Sequence, residues 1–427
     1  MTEPLAVMLD GRVIGMIDRS ATRRGTVSFA YSNDHLHSSA RPVPLSLSLP
    51  PTRQRHADGS VETWFAGLLP DNADLLRHWQ QVTGAASTAP LDLLATPMGL
   101  DCAGAVQICP TALLDAALSR GGSHEPLSAG DVARQLSAIR QRTHLATGTF
   151  APGYFSLAGA QAKIALHLHD GIWHQPSGTA ATTHILKPAV FMTQHQAVIE
   201  HLSMATARRL GLPAANTSVA VFDGYDTIIV ERYDRRRVGG RVLRLHQEDL
   251  CQALGLAPSL RYEQHGGPSL PQVVAMLRRH STSPADDLAD LIDALIYQWV
   301  IGAPDGHAKN FSILLDGAEV RLAPMYDVCS VLPYLALDET VGHAFALGGS
   351  HSVAPEQAAA HWTRFAHDAG LHADDLLARL ADIVSAVPDA CAAEATLLSS
   401  NHASSPRVSL LLERLTARAH ACLRQLG

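Results

Sequence analysis

The sequence has few cysteines, no long apolar run and no excess of basic residues. Its six cysteines among 427 residues include no Cys-x-x-Cys pair, which excludes a disulfide scaffold and predicts reduced thiols in a cytoplasm. No stretch of 18 uninterrupted apolar residues occurs, so we expect no membrane span. The chain begins acidic rather than basic and leads into no long apolar stretch, which argues against a signal peptide.

Acidic side chains outnumber basic ones. The 40 Asp and Glu residues and 33 Lys and Arg residues give a formal net charge of −7. Sequence-independent DNA binding by the chain alone is not expected, because attraction to phosphates requires a positive surface. A basic partner could still bring the protein to nucleic acid. Apolar residues make up 47% and charged residues 17% of the chain, a globular composition that at this length suits two or three domains.

Residues 1–110 predict a small, mostly β module. Residues 5–17, LAVMLDGRVIGMI, contain an Asp-Gly turn signal and predict a β-hairpin. A single helix is expected near residues 63–82, including the stretch WFAGLLPDN. The Gly- and Ser-rich residues 119–131 predict a connector to the next unit, and Ser128 could cap a helix that follows it.

The rest of the chain predicts two further units. Strand-like segments with one helix near 195–210 predict a kinase-like N-lobe over residues 150–255. Helical patterns dominate residues 256–427, apart from a strand pair joined at Asp316-Gly317, and predict a C-lobe. The predicted fold class is therefore α+β: a two-lobed, protein-kinase-like fold with a small β-rich N-terminal module and an all-α C-terminal lobe.

The strongest chemical signal is the segment GAPDGHAKNFSILL at residues 302–315. Asp305 is followed five positions later by Asn310, between a long apolar helix and an apolar strand. Protein kinases place a catalytic loop in this context with the same interval. The carboxylate would meet the proton of the acceptor hydroxyl, and the amide oxygen would reach a magnesium ion on the phosphates.

A second carboxylate follows the hairpin, in LAPMYDVCS. Asp327 ends an apolar strand, where a kinase places the residue that chelates magnesium on the β- and γ-phosphates. The familiar Asp-Phe-Gly is absent, because Val328 and Cys329 follow Asp327. The likeness is therefore one of position rather than of motif letters.

The remaining signals precede the catalytic loop. Lys187 ends the strand THILKPA, where kinases hold a phosphate-pairing lysine, and Glu200 on the next helix could pair with it. The stretch DTIIVERYDR suits the hinge between lobes, where the backbone of Glu231 and Tyr233 could meet adenine and Asp234 could reach ribose. The small-residue loop FSLAGAQAKIAL could bring N–H groups to phosphates, although it is no Gly-x-Gly-x-x-Gly.

Each signal has an ordinary alternative. An isolated Asp-x-x-x-x-Asn is common, Asp327 could cap a helix, and Lys187 and Glu200 could be solvated. The order of loop, lysine, glutamate, hinge, catalytic loop and metal carboxylate favours a kinase. The 23 histidines also suggest metal sites, but no cysteine or carboxylate completes a set at zinc-finger spacing. We expect His307 to order the catalytic loop rather than to bind a metal.

Taken together, these segments resemble the HipA family of serine/threonine kinases. The segments SLAGAQAKIAL, THILKP, ERYDRR, LHQEDLCQALG, DGHAKNFS and LAPMYDV look like its signatures, and RPVPLSLSLP and LLPDN extend the likeness into the N-terminal module. The resemblance implies the toxin of a type II toxin–antitoxin pair, which phosphorylates a serine of an aminoacyl-tRNA synthetase, typically the glutamyl enzyme. Stalled translation and dormancy, or persistence, would follow. The implied partner is HipB, a helix-turn-helix antitoxin through which the toxin would join operator DNA.

The resemblance also implies roles for individual residues. Asp305 would be the catalytic base, and Asn310 and Asp327 would bind Mg²⁺. Ser156 would be autophosphorylated, which would switch the enzyme off by expelling its loop from the ATP phosphates. One departure from the family is Ile199 before Glu200, where the family often has Asn. The residues expected to contact ATP are Ser156, Leu157, Ala158, Gly159, Ala160, Gln161, Lys163, Lys187, Glu231, Tyr233, Asp234, His307, Lys309, Asn310 and Asp327.

Two other functions remain open at this stage. Kinases of small molecules also use Asp-x-x-x-x-Asn, and a catalytically dead corepressor could bind the antitoxin alone. The Ser156 loop and the N-terminal module argue against the first, and the intact set of polar residues argues against the second.

Overall fold

The structure is a computed structural model of the whole chain. It describes residues 3–19, 27–39, 41–142, 161–189, 195–336 and 339–426.

The N-terminal module is built on an antiparallel sheet of strand order β4-β3-β2-β1-β5. The predicted hairpin is confirmed, and Asp10 and Gly11 have the positive φ angles, 44° and 76°, that its tight turn requires. Trp64 and Phe65 fill the core beneath the sheet. The elements are β1 Leu5–Leu9, β2 Arg12–Asp18, β3 Ser28–Tyr31, β4 Arg55–His56 and β5 Val106–Pro110, with α1 Asn33–Leu36, α2 Gly59–Ala66, α3 Ala73–Thr83, α4 Pro90–Leu94 and α5 Leu114–Arg120.

The single helix predicted near residues 63–82 is wrong. Two helices, α2 and α3, occupy this part of the chain, with a break between them at LPDN. Pro70 opposes a continuous helix because it lacks an N–H and disfavours helical geometry in the residue before it. The side chain of Asn72 then accepts hydrogen bonds from the N–H groups of Asp74 and Leu75 and starts α3. The break leaves Asp71 on a turn rather than on a helix.

The second unit has an antiparallel sheet of strand order β10-β11-β9-β7-β8-β6. The connector expected at residues 119–131 is instead strand β6, which pairs with β8, and the start of α6. Ser128 caps that helix as expected, because its Oγ accepts a hydrogen bond from the N–H of Asp131. The elements are β6 Gly122–Leu127, α6 Ala129–Arg142, β7 Ile164–His169, β8 Ile172–Gly178, β9 His184–Pro188, α7 Gln196–Arg209, β10 Thr217–Phe222 and β11 Tyr225–Glu231.

The third unit is mostly helical, around one small sheet of order β14-β15-β16. Its core is continuous with α7 of the second unit, and Trp299 and Trp362 meet inside it. Across the described ranges, no helix is long and apolar enough to cross a membrane. The elements are β12 Arg235–Val238, β13 Arg241–Arg244, β14 His246–Asp249, α8 Leu250–Ala253, α9 Leu270–His280, α10 Pro284–Val300, β15 Ser312–Asp316, β16 Glu319–Leu322, α11 Ala358–Ala369, α12 Ala373–Ala395, α13 Ser400–Ala403 and α14 Pro406–Leu426.

Candidate active site

A buried ion cluster joins the two lobes. Lys187, on β9, donates from Nζ to Glu200 Oε1 at 2.9 Å, and Glu200 lies on α7. The same Nζ donates to Oδ1 of Asp327, which follows β16. The side chains of Lys187 and Glu200 are 7% and 3% exposed. The ion pair expected between Lys187 and Glu200 is therefore present, and Asp327, which is 140 positions from Lys187, joins it.

The electrostatics of the cluster keep Asp327 ionised. Burial would raise its pKa, but the charges of Lys187 and Lys163 outweigh that effect and lower the pKa to about 2. Burial, followed by repulsion from Lys187, lowers the pKa of Lys163 to about 8. Asp327 also has a φ of 59°, a left-handed conformation that is costly for a non-glycine residue and recurs at functional sites.

The predicted catalytic loop is an ordered turn between α10 and β15. The side-chain amide of Asn310 donates to the backbone carbonyl of Asp305 at 2.6 Å, and the N–H of His307 donates to the same carbonyl at 2.8 Å. Tyr262 Oη donates to Asp305 Oδ1 at 2.5 Å. The carboxylate of Asp305 is nevertheless 61% exposed, so an acceptor hydroxyl can approach it.

A hydrogen bond joins the predicted catalytic loop to the residue before Asp327. The hydroxyl of Tyr326 donates to the backbone carbonyl of Lys309 at 2.7 Å. Burial lowers the pKa of His307, while the charges of Asp305 and Asp327 act on it in the opposite direction. Nε2 of His307 lies 3.7 Å from Oδ1 of Asp305, and its ring contacts the ring of Tyr262 edge-on at 4.9 Å. The buried Nδ1 of His307 has no hydrogen-bond partner within the part of the chain that the structure describes, so the role of His307 in ordering the loop stays a prediction.

Asp327 and Asn310 offer oxygen atoms of the type that Mg²⁺ prefers. The amide nitrogen of Asn310 is engaged with Asp305, which leaves its oxygen for a cation. Among the described residues, no group of three His, Cys, Asp or Glu side chains could hold a metal ion by itself. An ion held by two protein oxygens would need phosphate oxygens and water to complete its shell, which is how Mg²⁺ usually binds with nucleotides.

The hinge residues lie where β11 ends. Glu231 is exposed, and its side chain accepts a hydrogen bond from Asn216 at 2.9 Å. Tyr233 packs its ring 5.8 Å from that of Tyr326 and donates its hydroxyl to Gln247. These placements leave the backbone contacts to adenine as a prediction.

Asp234 differs from the expectation. Its carboxylate is 3% exposed and accepts hydrogen bonds from Arg232 at 2.9 and 2.7 Å and from the N–H of Gly104 at 2.7 Å. Arg235 lies 3.0 Å from the same carboxylate. Since both oxygens already have partners, this arrangement favours a structural role for Asp234 rather than the predicted ribose contact.

Two further predicted contacts have other partners in the structure. Lys309 is 3% exposed, and its Nζ donates to Asp71 of the N-terminal module at 2.8 Å. Gln161 donates to the backbone carbonyl of Pro188 at 3.2 Å, beside Lys187. The loop residues Ser156, Leu157, Ala158, Gly159 and Ala160 lie outside the described residues, so their predicted roles remain predictions.

Sequence reasoning missed Tyr262 and Asp71. Tyr262 is 43 positions before Asp305, and no spacing rule links the two. Asp71 belongs to LLPDN, which was noted as a family-like segment but given no role. Pro70 signals a helix break at this point, but the partner of Asp71, Lys309, lies 238 positions away in the sequence.

Comparisons with known proteins identify the family. The HipA N-terminal domain model matches residues 5–109, and the HipA-like C-terminal domain model matches residues 155–391. Y4mE, a candidate kinase of Sinorhizobium fredii, is 35% identical over 420 residues, which are 97% of each chain. The chain belongs to the HipA family. The predicted family and enzyme class, a serine/threonine-protein kinase, are thereby confirmed.

Two HipA proteins add detail. The serine/threonine-protein kinase toxin HipA of Shewanella oneidensis is 29% identical over 358 residues, which are 80% of this chain and 78% of that relative. A chain in the solved complex of HipA, HipB and operator DNA from Shewanella oneidensis MR-1 superposes with a TM-score of 0.82. It is 26% identical, and the match covers 99% of this chain and 98% of that chain. The predicted α+β, two-lobed fold is confirmed by this match.

Proposed function

We propose that this HipA-family kinase transfers the γ-phosphate of Mg²⁺-ATP to a serine of a protein target. The observation that carries the proposal is the cluster of the buried residues Lys187 and Glu200 with the partly exposed Asp327, beside an ordered loop that presents Asp305. A kinase needs a fixed cation for phosphates, a carboxylate for the metal and a second carboxylate open to the acceptor. Lys187, Asp327 and Asp305 are our candidates for these three tasks.

Each residue of the site has a distinct task in this proposal. Glu200 orients the ammonium of Lys187 toward the phosphates, and Asp327 and Asn310 would hold Mg²⁺. When bound, the metal neutralises charge on the phosphates. Asp305 accepts the proton of the attacking serine hydroxyl. Tyr262, through its hydrogen bond to Oδ1, holds the carboxylate of Asp305 in one orientation.

The proposal that the protein is a toxin is based on its similarity to known HipA proteins. One relative is a kinase toxin, and the superposed structure is a complex with HipB and operator DNA. We infer that this protein is the toxin of a type II toxin–antitoxin pair, with a HipB-like helix-turn-helix antitoxin as its partner. Its net charge of −7 agrees with contact to DNA mainly through the antitoxin. A cytoplasmic aminoacyl-tRNA synthetase, of the glutamyl type, is the proposed target, and Ser156 is the proposed autophosphorylation site.

Phosphate transfer can be tested directly. The protein, labelled ATP, Mg²⁺ and a panel of aminoacyl-tRNA synthetases are incubated together, and the labelled products are mapped by mass spectrometry. We expect label on a synthetase serine and on Ser156. Asp305→Asn should reduce transfer by about 10²- to 10⁴-fold without unfolding, because the side chain is 61% exposed.

Asp316→Asn is a matched control, since Asp316 is an exposed carboxylate whose ion-pair partner is Arg236. Undiminished transfer by Asp305→Asn would contradict the assignment of the base. Label on a small hydroxyl compound and on no protein would favour a small-molecule kinase. Absence of ATP binding in calorimetry would favour a corepressor without catalysis.

A further inference from the structure

The N-terminal module reaches the catalytic loop through one carboxylate. Asp71, between α2 and α3, accepts a hydrogen bond from Lys309 Nζ at 2.8 Å through Oδ1. Its Oδ2 lies 3.4 Å from Nη1 of Arg261. The side chain of Asp71 is 16% exposed, whereas that of Lys309 is 3% exposed. This is a largely enclosed contact between residues 238 positions apart.

Because the ammonium of Lys309 is buried, its contact with Asp71 matters for the stability of the loop. A buried ammonium needs a nearby negative charge, because removing its partner leaves an uncompensated charge in a poorly solvated site. Asp249 is a second carboxylate whose charge interacts with that of Lys309. Burial raises the pKa of Asp249 to about 6, while the charge of Lys309 lowers it and that of Asp71 raises it further. Asp71 is the partner in direct hydrogen-bond contact with the ammonium.

The second contact of Asp71 leads toward the catalytic carboxylate. The backbone carbonyl of Arg261 accepts a hydrogen bond from the N–H of Ala308 at 3.0 Å, inside the catalytic loop. Tyr262, the next residue after Arg261, donates its hydroxyl to Asp305. Asp71 thus contacts the loop at Lys309 and also contacts the segment that holds Asp305.

Contacts between the N-terminal module and β14 fix the position of the turn that carries Asp71. Glu248 of β14 is 1% exposed and accepts hydrogen bonds from Ser46 at 2.5 Å, from the N–H of Leu47 at 2.8 Å and from Trp64 at 3.0 Å. Trp64 lies on α2, the helix that precedes Asp71. Since α2 is anchored to the strand beside β15, the turn that carries Asp71 has a defined position over the loop.

We propose that Asp71 is a positioning residue, through which the N-terminal module sets the geometry of the catalytic loop. The inference rests on the proposed function, in which Asp305 is the catalytic base. Asp71 holds Lys309 and Arg261 in place, and these hold the loop and Tyr262. Without the carboxylate of Asp71, the side chain of Asp305 is no longer kept in one orientation toward the acceptor hydroxyl. The N-terminal module accordingly contributes to the geometry of the kinase site.

The test compares Asp71→Asn with Asp74→Asn, because Asp74 lies three residues away with a side chain that is 87% exposed. We expect Asp71→Asn to lower kcat by roughly tenfold to a hundredfold, as small displacements of catalytic groups do. The KM for ATP should change less than kcat, because the contact between Lys187 and Glu200 is not touched, although Asn310 lies in the affected loop. Asp74→Asn should behave as wild type.

A second variant separates positioning from stability. Asp71→Glu keeps the charge and moves it by one methylene, so we expect a smaller loss of kcat, about threefold, with an unchanged melting temperature. Wild-type kcat in Asp71→Asn would overturn the proposal. So would an Asp71→Asn variant that does not fold, combined with wild-type kcat in Asp71→Glu, because the carboxylate would then serve stability alone.

A measurement without catalysis distinguishes this inference from the proposed function. Amide hydrogen exchange of residues 303–311 should become at least several-fold faster in Asp71→Asn than in Asp74→Asn, while exchange in α12 stays unchanged. Unchanged exchange in the loop would overturn the positioning role. If exchange responds as expected but the wild-type protein labels no protein target, the proposed function fails and the positioning role stands.

Discussion

Replacing Lys187 by methionine should destabilise the protein strongly and abolish phosphate transfer. The ammonium lies between Glu200, whose side chain is 3% exposed, and Asp327. Methionine fills a similar volume but removes the ammonium that donates to both carboxylates, although the charge of Lys163 still acts on both of them. Breaking a buried ion pair by removing one partner costs about 3–5 kcal/mol of unfolding free energy. We expect the loss of unfolding free energy in Lys187→Met to fall in that range.

The double variant Lys187→Met/Glu200→Leu separates stability from chemistry. Removing Glu200 takes away the unpaired buried charge, so most of the unfolding free energy should return. Phosphate transfer should not return, because the cation that meets the phosphates is still missing. Urea unfolding and transfer from labelled ATP measure the two effects. The control Arg77→Met removes an exposed pair with Asp74 and should cost less than about 1 kcal/mol.

The destabilisation by Lys187→Met should also depend on pH. Burial raises the pKa of Glu200 above its ordinary value of 4.5 even with Lys187 present, and loss of the lysine raises it further. A carboxyl whose pKa is raised on folding favours the folded state below its ordinary pKa and loses that contribution as pH rises through the raised pKa. The variant should therefore be closest to wild type near pH 4.5 and furthest from it at pH 8.

Equal stability of wild type and Lys187→Met at pH 8 would refute the buried-charge reasoning. Phosphate transfer by the double variant would refute the role of Lys187 at the phosphates.

Two further predictions concern the metal and the module interface. Asp327→Asn should remove the part of the ATP affinity that depends on Mg²⁺, whereas Asp316→Asn should retain it. Calorimetry with Mg²⁺ and with a chelator measures this part of the affinity. Equal loss in both variants would contradict the assignment of Asp327. Burial raises the pKa of Glu248 from 4.5 to about 7, so about 3 kcal/mol of stability should be present below pH 4.5 and lost as pH rises through 7. Glu248→Gln should remove this pH dependence, and parallel stability profiles would contradict it.

Local signals in the sequence predicted several elements well. Asp-Gly pairs predicted the turns at residues 10–11, 170–171 and 316–317, and all three join antiparallel strands. These predictions succeed because a two-residue turn depends on the φ angles of its own residues and on little else. The helix expected at residues 63–82 failed at Pro70, where a local breaker was present but was outweighed by the apolar pattern around it.

Strand β6 shows a different limit. Its residues 122–127 are mostly exposed and rich in small and polar types, which is the composition of a connector. The segment is a strand because it pairs with β8, which would otherwise be the edge of the sheet, and completes the hydrogen bonds of β8. Pairing of this kind is set by a partner about 50 positions away, and a local reading of composition does not contain that information.

The sequence by itself singled out the side chains that we propose to carry the chemistry. Asp305, Asn310 and Asp327 stand at intervals set by a short loop and a hairpin, and Lys187 stands at the end of its strand, so local order was enough to single them out. Only the tertiary structure decided which polar and charged groups are partners of one another. Asp71 meets Lys309 across 238 positions, and Asp234 meets Gly104 across 130. Ion pairing depends on distance in space and on exclusion of water, and neither follows from separation along the chain.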